Sequence, residues 1–355
     1  MALPRAEQLR YWSIAAGFTL LVLWLLGDVI LPFVLGGALA YLLDPIADWL
    51  QEKGLSRIAS VILITLIATV VFAVVLVLVL PQMIEQAAAL IQAIPPAVQD
   101  AGIWLSTRFP ELADENSGLR QSLDSFGSVL EERATELLDT VLGSALSLIN
   151  ILILVFLVPV VTFYLLVDWD RMVAEIDALL PRDHAPTIRK IMGDIDKTLA
   201  SFIRGQGTVC LILGTYYAVA LVVAGLQYGL VVGFVAGLIS FIPYVGALIG
   251  GVASVGLALF QFWGEWWMVA VIAAIFFAGQ MVEGNILTPN LVGSSVGLHP
   301  VWLLFALSVF GSLFGFVGML VAVPLAAAIG VLTRFLIGEY LDSRLYKGVS
   351  GTKQD

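Results

Sequence analysis

The chain has 355 residues, of which 60% are hydrophobic and only 12% charged, about half the charged share of a typical soluble domain. A water-soluble fold cannot cover that much apolar surface, so the composition excludes a soluble enzyme and specifies an integral membrane protein. The net charge of −10 disfavours nucleic acid, whose binding needs a basic face.

The predicted fold is an all-α polytopic helical bundle, read in chain order as apolar runs of about 20 residues each. Tyr11 to Gly27 and Val29 to Leu43 form two runs separated by Asp28. No clear cleavage site lies between them, which predicts a retained helical hairpin. A polar loop with Lys53 and Arg57 follows, then the uncharged run Ile58 to Leu80, closed by Pro81. Residues 1–81 are therefore read as N-terminal transmembrane helices.

Residues 82–145 differ in kind. They carry ten Asp/Glu against Arg108, Arg120 and Arg133 alone. Leu119, Leu123, Phe126, Leu130, Ala134, Leu137 and Val141 recur at helical spacing, which predicts an extracytoplasmic amphipathic insertion and, from its unpartnered apolar face, a homo-oligomer contact. Residues 146–167 read as one further span. Residues 168–204, with six Lys/Arg and with Pro181 and Pro186, read as a cytoplasmic helical segment. Residues 205–333 read as a transport core and 334–355 as a cytoplasmic tail. The Lys/Arg distribution places both termini and 168–204 inside and 85–145 outside.

The transport core holds 129 residues without one Lys or Arg; its only carboxylates are Glu265 and Glu283, and its only histidine is His299. Two of its apolar runs, 229–262 and 301–333, exceed the length of one span. Gly233-Phe234-Val235 precedes Pro243, and Gly315-Phe316-Val317 precedes Pro324, at nearly equal distances. Paired Gly/Pro-interrupted segments point to a transporter's binding site at a repeat interface. They predict helices broken at Pro243 with Gly246, and at Pro324, either as two full spans or as re-entrant hairpins, with the two prolines close to one another.

Glu283 is the sharpest candidate for chemistry. A charge at bilayer depth costs at least about 2.5 kcal/mol and usually marks function. No basic residue lies within 50 positions of it, so a proton or a bound cation would have to neutralise it. Gln280 at i−3 and the nearby Asn285 add two amides, suited to Na⁺ or to a hydroxylated solute. Gln206, just inside an apolar run, could face the pathway. His299 is a candidate proton relay, although its place before Pro300 also suits a helix cap. Glu265 sits among Trp263, Trp266 and Trp267 as an interfacial anchor.

Gly293-Ser294-Ser295-Val296-Gly297 matches the form of a hydrolase nucleophile elbow, but that motif needs a preceding strand and an acid–histidine pair. No Gly-Lys-Ser/Thr loop, H-E-x-x-H site or C-x-x-C pair occurs, so neither ATP-driven pumping nor zinc chemistry is indicated. No resident cofactor is expected, beyond H⁺ or Na⁺ as a coupling ion. The lone Cys210 lies in an apolar run and reads as a small hydrophobe.

Several segments together resemble the autoinducer-2 exporter family of predicted permeases: Phe202-Ile203-Arg204-Gly205-Gln206, Phe241-Ile242-Pro243-Tyr244-Val245-Gly246, Gln280 to Pro289, Gly293 to Pro300, Gly315 to Gly318 and Ala322 to Ala326. One departure is Ala247, where the family commonly has proline. The resemblance implies a bacterial inner-membrane permease with about eight membrane segments and an extracytoplasmic helical insertion. Members of the family are linked to autoinducer-2 export and some to Na⁺(Li⁺)/H⁺ antiport. The expected function is thus a secondary transporter exporting a small polar solute, with antiport of a monovalent cation as the rival. An oligomeric membrane scaffold, assembled through the acidic insertion, is the reading from another class. The bilayer and the transported solute or cation are the expected partners.

Overall fold

The computed structural model describes residues 27–74, 145–293 and 297–347, together with seven isolated positions between 81 and 129. The N-terminal apolar run before Gly27 and nearly all of the acidic insertion, with the oligomer contact expected of it, lie outside the described residues. The described elements are helical: α1 (Gly27–Glu52), α2 (Arg57–Val74), α3 (Ala145–Ala178), α4 (Ala185–Val223), α5 (Gly229–Ile239), α6 (Val245–Gln261), α7 (Trp266–Val282), a π-helical segment (Glu283–Val292), α8 (Pro300–Asp342) and the short α9 (Arg344–Lys347). Five stretches among them are long and apolar enough to cross a bilayer: Val29–Glu52, Arg57–Val74, Ala185–Val223, Trp266–Val292 and Pro300–Asp342. Phe33, Ile58, Leu66 and Ile67 stand exposed on α1 and α2, as side chains facing lipid do. The protein is an all-α polytopic membrane protein.

The chain divides into two compact units. Among the described residues, the first comprises those up to Thr65, Leu157–Val209 and those from Gly284 onward. The second comprises those from Leu66 to Phe156 and Cys210–Glu283.

In the first unit, Ala40, Ala47, Val61, Ile64 and Leu166 form a buried core between α1, α2 and α3. The buried Thr162 hydroxyl donates to the carbonyl of Gly36 at 3.1 Å, joining α3 to α1. The polar stretch after Leu43, expected to be a loop, is instead the last part of α1, which runs on to Glu52 through Pro45. Proline has no N–H, so the carbonyl four residues back, that of Tyr41, loses its helical partner. Arg204 of α4 supplies the missing donor: its Nε donates to the Tyr41 carbonyl at 2.7 Å. The sequence change at 168 likewise falls within a helix, because α3 continues from Ala145 to Ala178. The break expected near Pro181 is present between α3 and α4, while Pro186 sits in the first turn of α4, where its missing N–H is harmless.

In the second unit, Gly229, Gly233 and Gly237 recur every four residues along one face of α5. None has room for a side chain: the backbones of Leu221, Tyr217–Ala218 and Gly214 on α4 lie directly against them. Small residues at this spacing let helices approach closely where no hydrophobic driving force separates helix from lipid. Gln261 closes the α4–α5 turn, accepting from the backbone N–H of Gln227 at 2.8 Å and donating to the Gly225 carbonyl at 2.7 Å.

The two overlong runs differ from each other. The first breaks at Ser240–Tyr244, as expected around Pro243. At about 1.5 Å per residue, α5 is about 16 Å long and α6 about 25 Å, against a hydrocarbon core of about 30 Å. That fits a re-entrant hairpin better than two full spans. In the second run the expectation for Pro324 fails. Pro324 lies inside α8, and the irregularity is at Gly315 (φ 57°, ψ −135°), a conformation open to glycine but not to other residues. Gly318 comes against the Phe310 carbonyl, and Gly311 against Met319. Residues eight apart are about 12 Å apart along a straight helix, so the chain bends sharply at Gly315. The matching Gly-Phe-Val triplets therefore sit at unlike places, Gly233 in mid-helix and Gly315 at the bend, and the local geometry does not support the proposed repeat.

Candidate functional site

The second unit holds a carboxylate whose side-chain hydrogen-bond partner among the described residues is neutral. Glu283 is half-buried at the junction between α7 and the π-helical segment. Gln280, one helical turn earlier, donates through Nε2 to Glu283 Oε2 at 2.9 Å and to the Tyr217 hydroxyl at 3.2 Å. The i, i+3 spacing read from the sequence thus brings the amide and the carboxylate together. Tyr217 on α4 is fully buried. Its ring stacks on Phe276 at 4.9 Å between centroids, 13° from parallel, and its hydroxyl donates to the Phe276 carbonyl at 3.4 Å. Gly279 makes space for the phenol, which occupies the position a side chain there would take. Among the described residues, no basic side chain reaches Glu283.

Gln280 also lines a cavity of about 570 Å³ with Ala247, Val255, Ala273, Ala274, Phe276 and Phe277. Its wall is apolar apart from the one amide. The arrangement can therefore pass a polar contact from the cavity wall through Gln280 to a carboxylate that has no counter-ion among the described residues.

The remaining candidates fall elsewhere. Pro243 and Gly246 belong to the same unit as Glu283 but to the α5–α6 break, where Gly246 packs on the backbone of Ser240. The next residue after the proline, Tyr244, takes φ 67°, a left-handed conformation uncommon for a side chain of its size. Asn285 lies exposed in the π-helical segment of the first unit. Gln206 is buried on α4 in that unit, beside Gly205, whose Cα faces the Leu291 carbonyl. His299 caps α8: its Nδ1 accepts from the Val301 N–H at 3.3 Å, which is the structural role its place before Pro300 suggested. Pro324 lies along α8.

The π-helical geometry of Glu283–Val292 was not foreseen. Such segments are rare and frequently occur at functional sites. The last bond runs from the Gly293 N–H to the Thr288 carbonyl at 2.9 Å, five residues back. Gly293 thus ends a helix rather than a strand, so the structural context a nucleophile elbow requires is lacking. Trp263, Trp266 and Trp267 stand exposed around the α6–α7 turn with Glu265, the arrangement of an interfacial belt.

Sequence reasoning missed Tyr217, which no spacing ties to a residue 63 positions later. It also missed a second polar cluster, in the first unit. There Asp44 accepts from Arg57 at 2.8 Å and from Arg204 at 3.2 Å. Arg57 further donates to Asp48 at 2.7 Å and to the Leu166 carbonyl at 2.9 Å. The Tyr41 hydroxyl donates to Asp196 at 2.8 Å.

Broken apolar helices, with a carboxylate bonded to a neutral amide that also lines a cavity, are features of a helical membrane transporter. The chain belongs to the AI-2E family of transporters, whose sequence model matches residues 14–338. It is similar to two provisionally named bacterial proteins. Transport protein YrrI of Bacillus subtilis is 29% identical over 87% of both chains. Permease PerM of Escherichia coli is 28% identical over 89% of both.

Proposed function

We propose that the protein is a secondary transporter that exports a small polar solute, autoinducer-2 or a compound like it, across a bacterial inner membrane, with Glu283 as the coupling carboxylate. The observation that carries this reading is the bonding of Glu283. Its side-chain partner, Gln280, is neutral, and burial of an unpaired charge is costly. A proton or a cation from outside the protein is the natural neutralising partner, and H⁺ or Na⁺ is accordingly the coupling ion. Gln280 can donate and accept, which suits it to orient a hydroxylated solute at the cavity wall. Both termini and residues 168–204 face the cytoplasm in this reading, and residues 85–145 face outward.

The test is flux of autoinducer-2 and of Na⁺ in proteoliposomes, with and without imposed H⁺ and Na⁺ gradients. Gradient-dependent autoinducer-2 movement supports solute export. Na⁺ movement against H⁺ without any solute would instead establish the protein as a cation/proton antiporter using the same carboxylate. Absence of both fluxes would overturn the transport mechanism. Cysteines introduced at Ser125 and Ser350 in a Cys210→Ser background test the orientation; labelling of both from one side contradicts it.

A further inference from the structure

We propose that the cavity of the first unit is a binding site for a small zwitterion, a molecule that carries an anionic group and an ammonium a few bonds apart. The cavity has a volume of about 860 Å³ and is lined by three cationic and four anionic side chains: Arg57, Lys197 and Arg204, and Asp44, Asp48, Asp170 and Asp196.

Much of this charge is already committed. Asp44 bridges both guanidinium groups. Arg57 uses all three of its nitrogens, on Leu166, Asp48 and Asp44. Arg204 is fixed by the Tyr41 carbonyl on one edge. Such anchoring holds the side chains in one geometry before any ligand arrives, which lowers the ordering cost of binding.

What remains open has both signs. Among the described residues, neither Lys197 nor Asp170 forms an ion pair or a side-chain hydrogen bond, although both line the cavity. Among the described residues, Asp196 engages one of its oxygens, with Tyr41. A simple anion would find Lys197 but would also meet the surplus carboxylate. A simple cation would find Asp170 but would also meet Lys197 and Arg204. A zwitterion satisfies both open groups at once. The aromatic wall fits the same ligand: Tyr41 and Trp169 lie edge to face, with centroids 6.4 Å apart, and aromatic faces attract ammonium groups. Binding in this cavity does not require coupled transport, and loss of coupling at Glu283 would leave it intact.

Two sources present this chemistry: a free amino-acid-like solute, and the headgroup of phosphatidylethanolamine. The experiment uses the full chain in nanodiscs. One arm titrates free O-phosphoethanolamine, with inorganic phosphate and ethanolamine as single-charge controls. The other arm counts phosphatidylethanolamine and phosphatidylglycerol retained in native mass spectrometry. The zwitterionic probe should outbind either control by at least about tenfold, the scale of one charge-assisted hydrogen bond. Lys197→Asp and Asp170→Lys should each remove that preference, and the double reversal should restore it by exchanging the two ends. Selective retention of phosphatidylethanolamine, lost in both single variants, identifies the headgroup as the source; binding of free phosphoethanolamine alone identifies a solute. The proposal is overturned if phosphate or ethanolamine binds as tightly as the zwitterion, if neither arm shows binding, or if the double reversal behaves like the single ones.

Discussion

The two units solve the same problem, a carboxylate among membrane helices, in opposite ways. In the first, Asp44 is neutralised from within by two guanidinium groups, and the cluster ties α1, α2 and α4 together. In the second, Glu283 has an amide at hydrogen-bond distance, and that amide leads on to a phenol. A charge satisfied internally is a structural element, because nothing outside the protein needs to complete it. A charge with neutral partners is incomplete until a proton or a cation arrives, and that incompleteness is what a coupling site requires.

The sharpest way to break this comparison is the same chemical change in both places. Asp44→Asn removes the shared counter-charge and leaves two arginines facing each other. Removing one partner of a fully buried pair costs about 3–5 kcal/mol. The side chains here are 25–39% exposed, so solvent screening reduces the expected loss to about 1–2 kcal/mol. It should appear as a lower unfolding midpoint in detergent. Glu283→Gln, by contrast, exchanges one hydrogen-bonding group for another with no cation abandoned, and should leave the midpoint almost unchanged. Equal losses at the two positions would erase the distinction.

A smaller effect sharpens the account of the first unit. If Arg204 serves Tyr41 because Pro45 cannot, then Pro45→Ala should make it partly dispensable. Arg204→Ala in the native background should cost about 1 kcal/mol more than in the Pro45→Ala background, the worth of one hydrogen bond. Strict additivity in this double-mutant cycle would contradict the assignment.

The smallest effect concerns an exposed pair at the α3–α4 junction, Asp177 near the end of α3 and Arg189 in the second turn of α4. Asp177 accepts from Arg189 through both oxygens, at 2.6 and 2.7 Å, and this hydrogen-bonded cation holds its carboxyl below the usual carboxylate range. A carboxylate with a depressed value stabilises the fold above its unfolded pKa, near 4, and loses that contribution as pH falls through the folded value. Wild type should therefore have a slightly higher unfolding midpoint than Arg189→Gln at pH 6, and the gap should close in acid. A gap that widens on acidification would reverse the sign.

Parts of this arrangement were legible in the sequence because the signals are local. Gln280 and Glu283 are three apart on one helix, Pro243 with Gly246 announces a break, and His299 before Pro300 announces a helix start. Pro324 misled because a missing N–H ends a helix only where nothing else requires the helix to continue. The bend in that run belongs to Gly315, which the sequence marked only as the start of a triplet before Pro324, with nothing local to show that the glycine and not the proline would break the helix. Arg204 counted only as one of the six Lys/Arg that set the orientation of 168–204, because its partners, Tyr41 and Asp44, lie 163 and 160 positions away. Tyr217 was hidden for the same reason, within a helix rich in apolar residues. Contacts between helices are set by packing faces, and in a membrane helix an apolar stripe does not distinguish the face toward protein from the face toward lipid.

The measurement that bears most directly on Glu283 is flux of autoinducer-2 and of Na⁺ against pH in proteoliposomes, for wild type and Glu283→Gln. The amide mimics the protonated carboxyl and cannot release a proton. The account predicts that wild-type flux varies with pH, and that the Glu283→Gln protein, folded and inserted as before, loses that dependence. A Glu283→Gln protein that transports with the wild-type pH profile would show that the coupling group lies elsewhere.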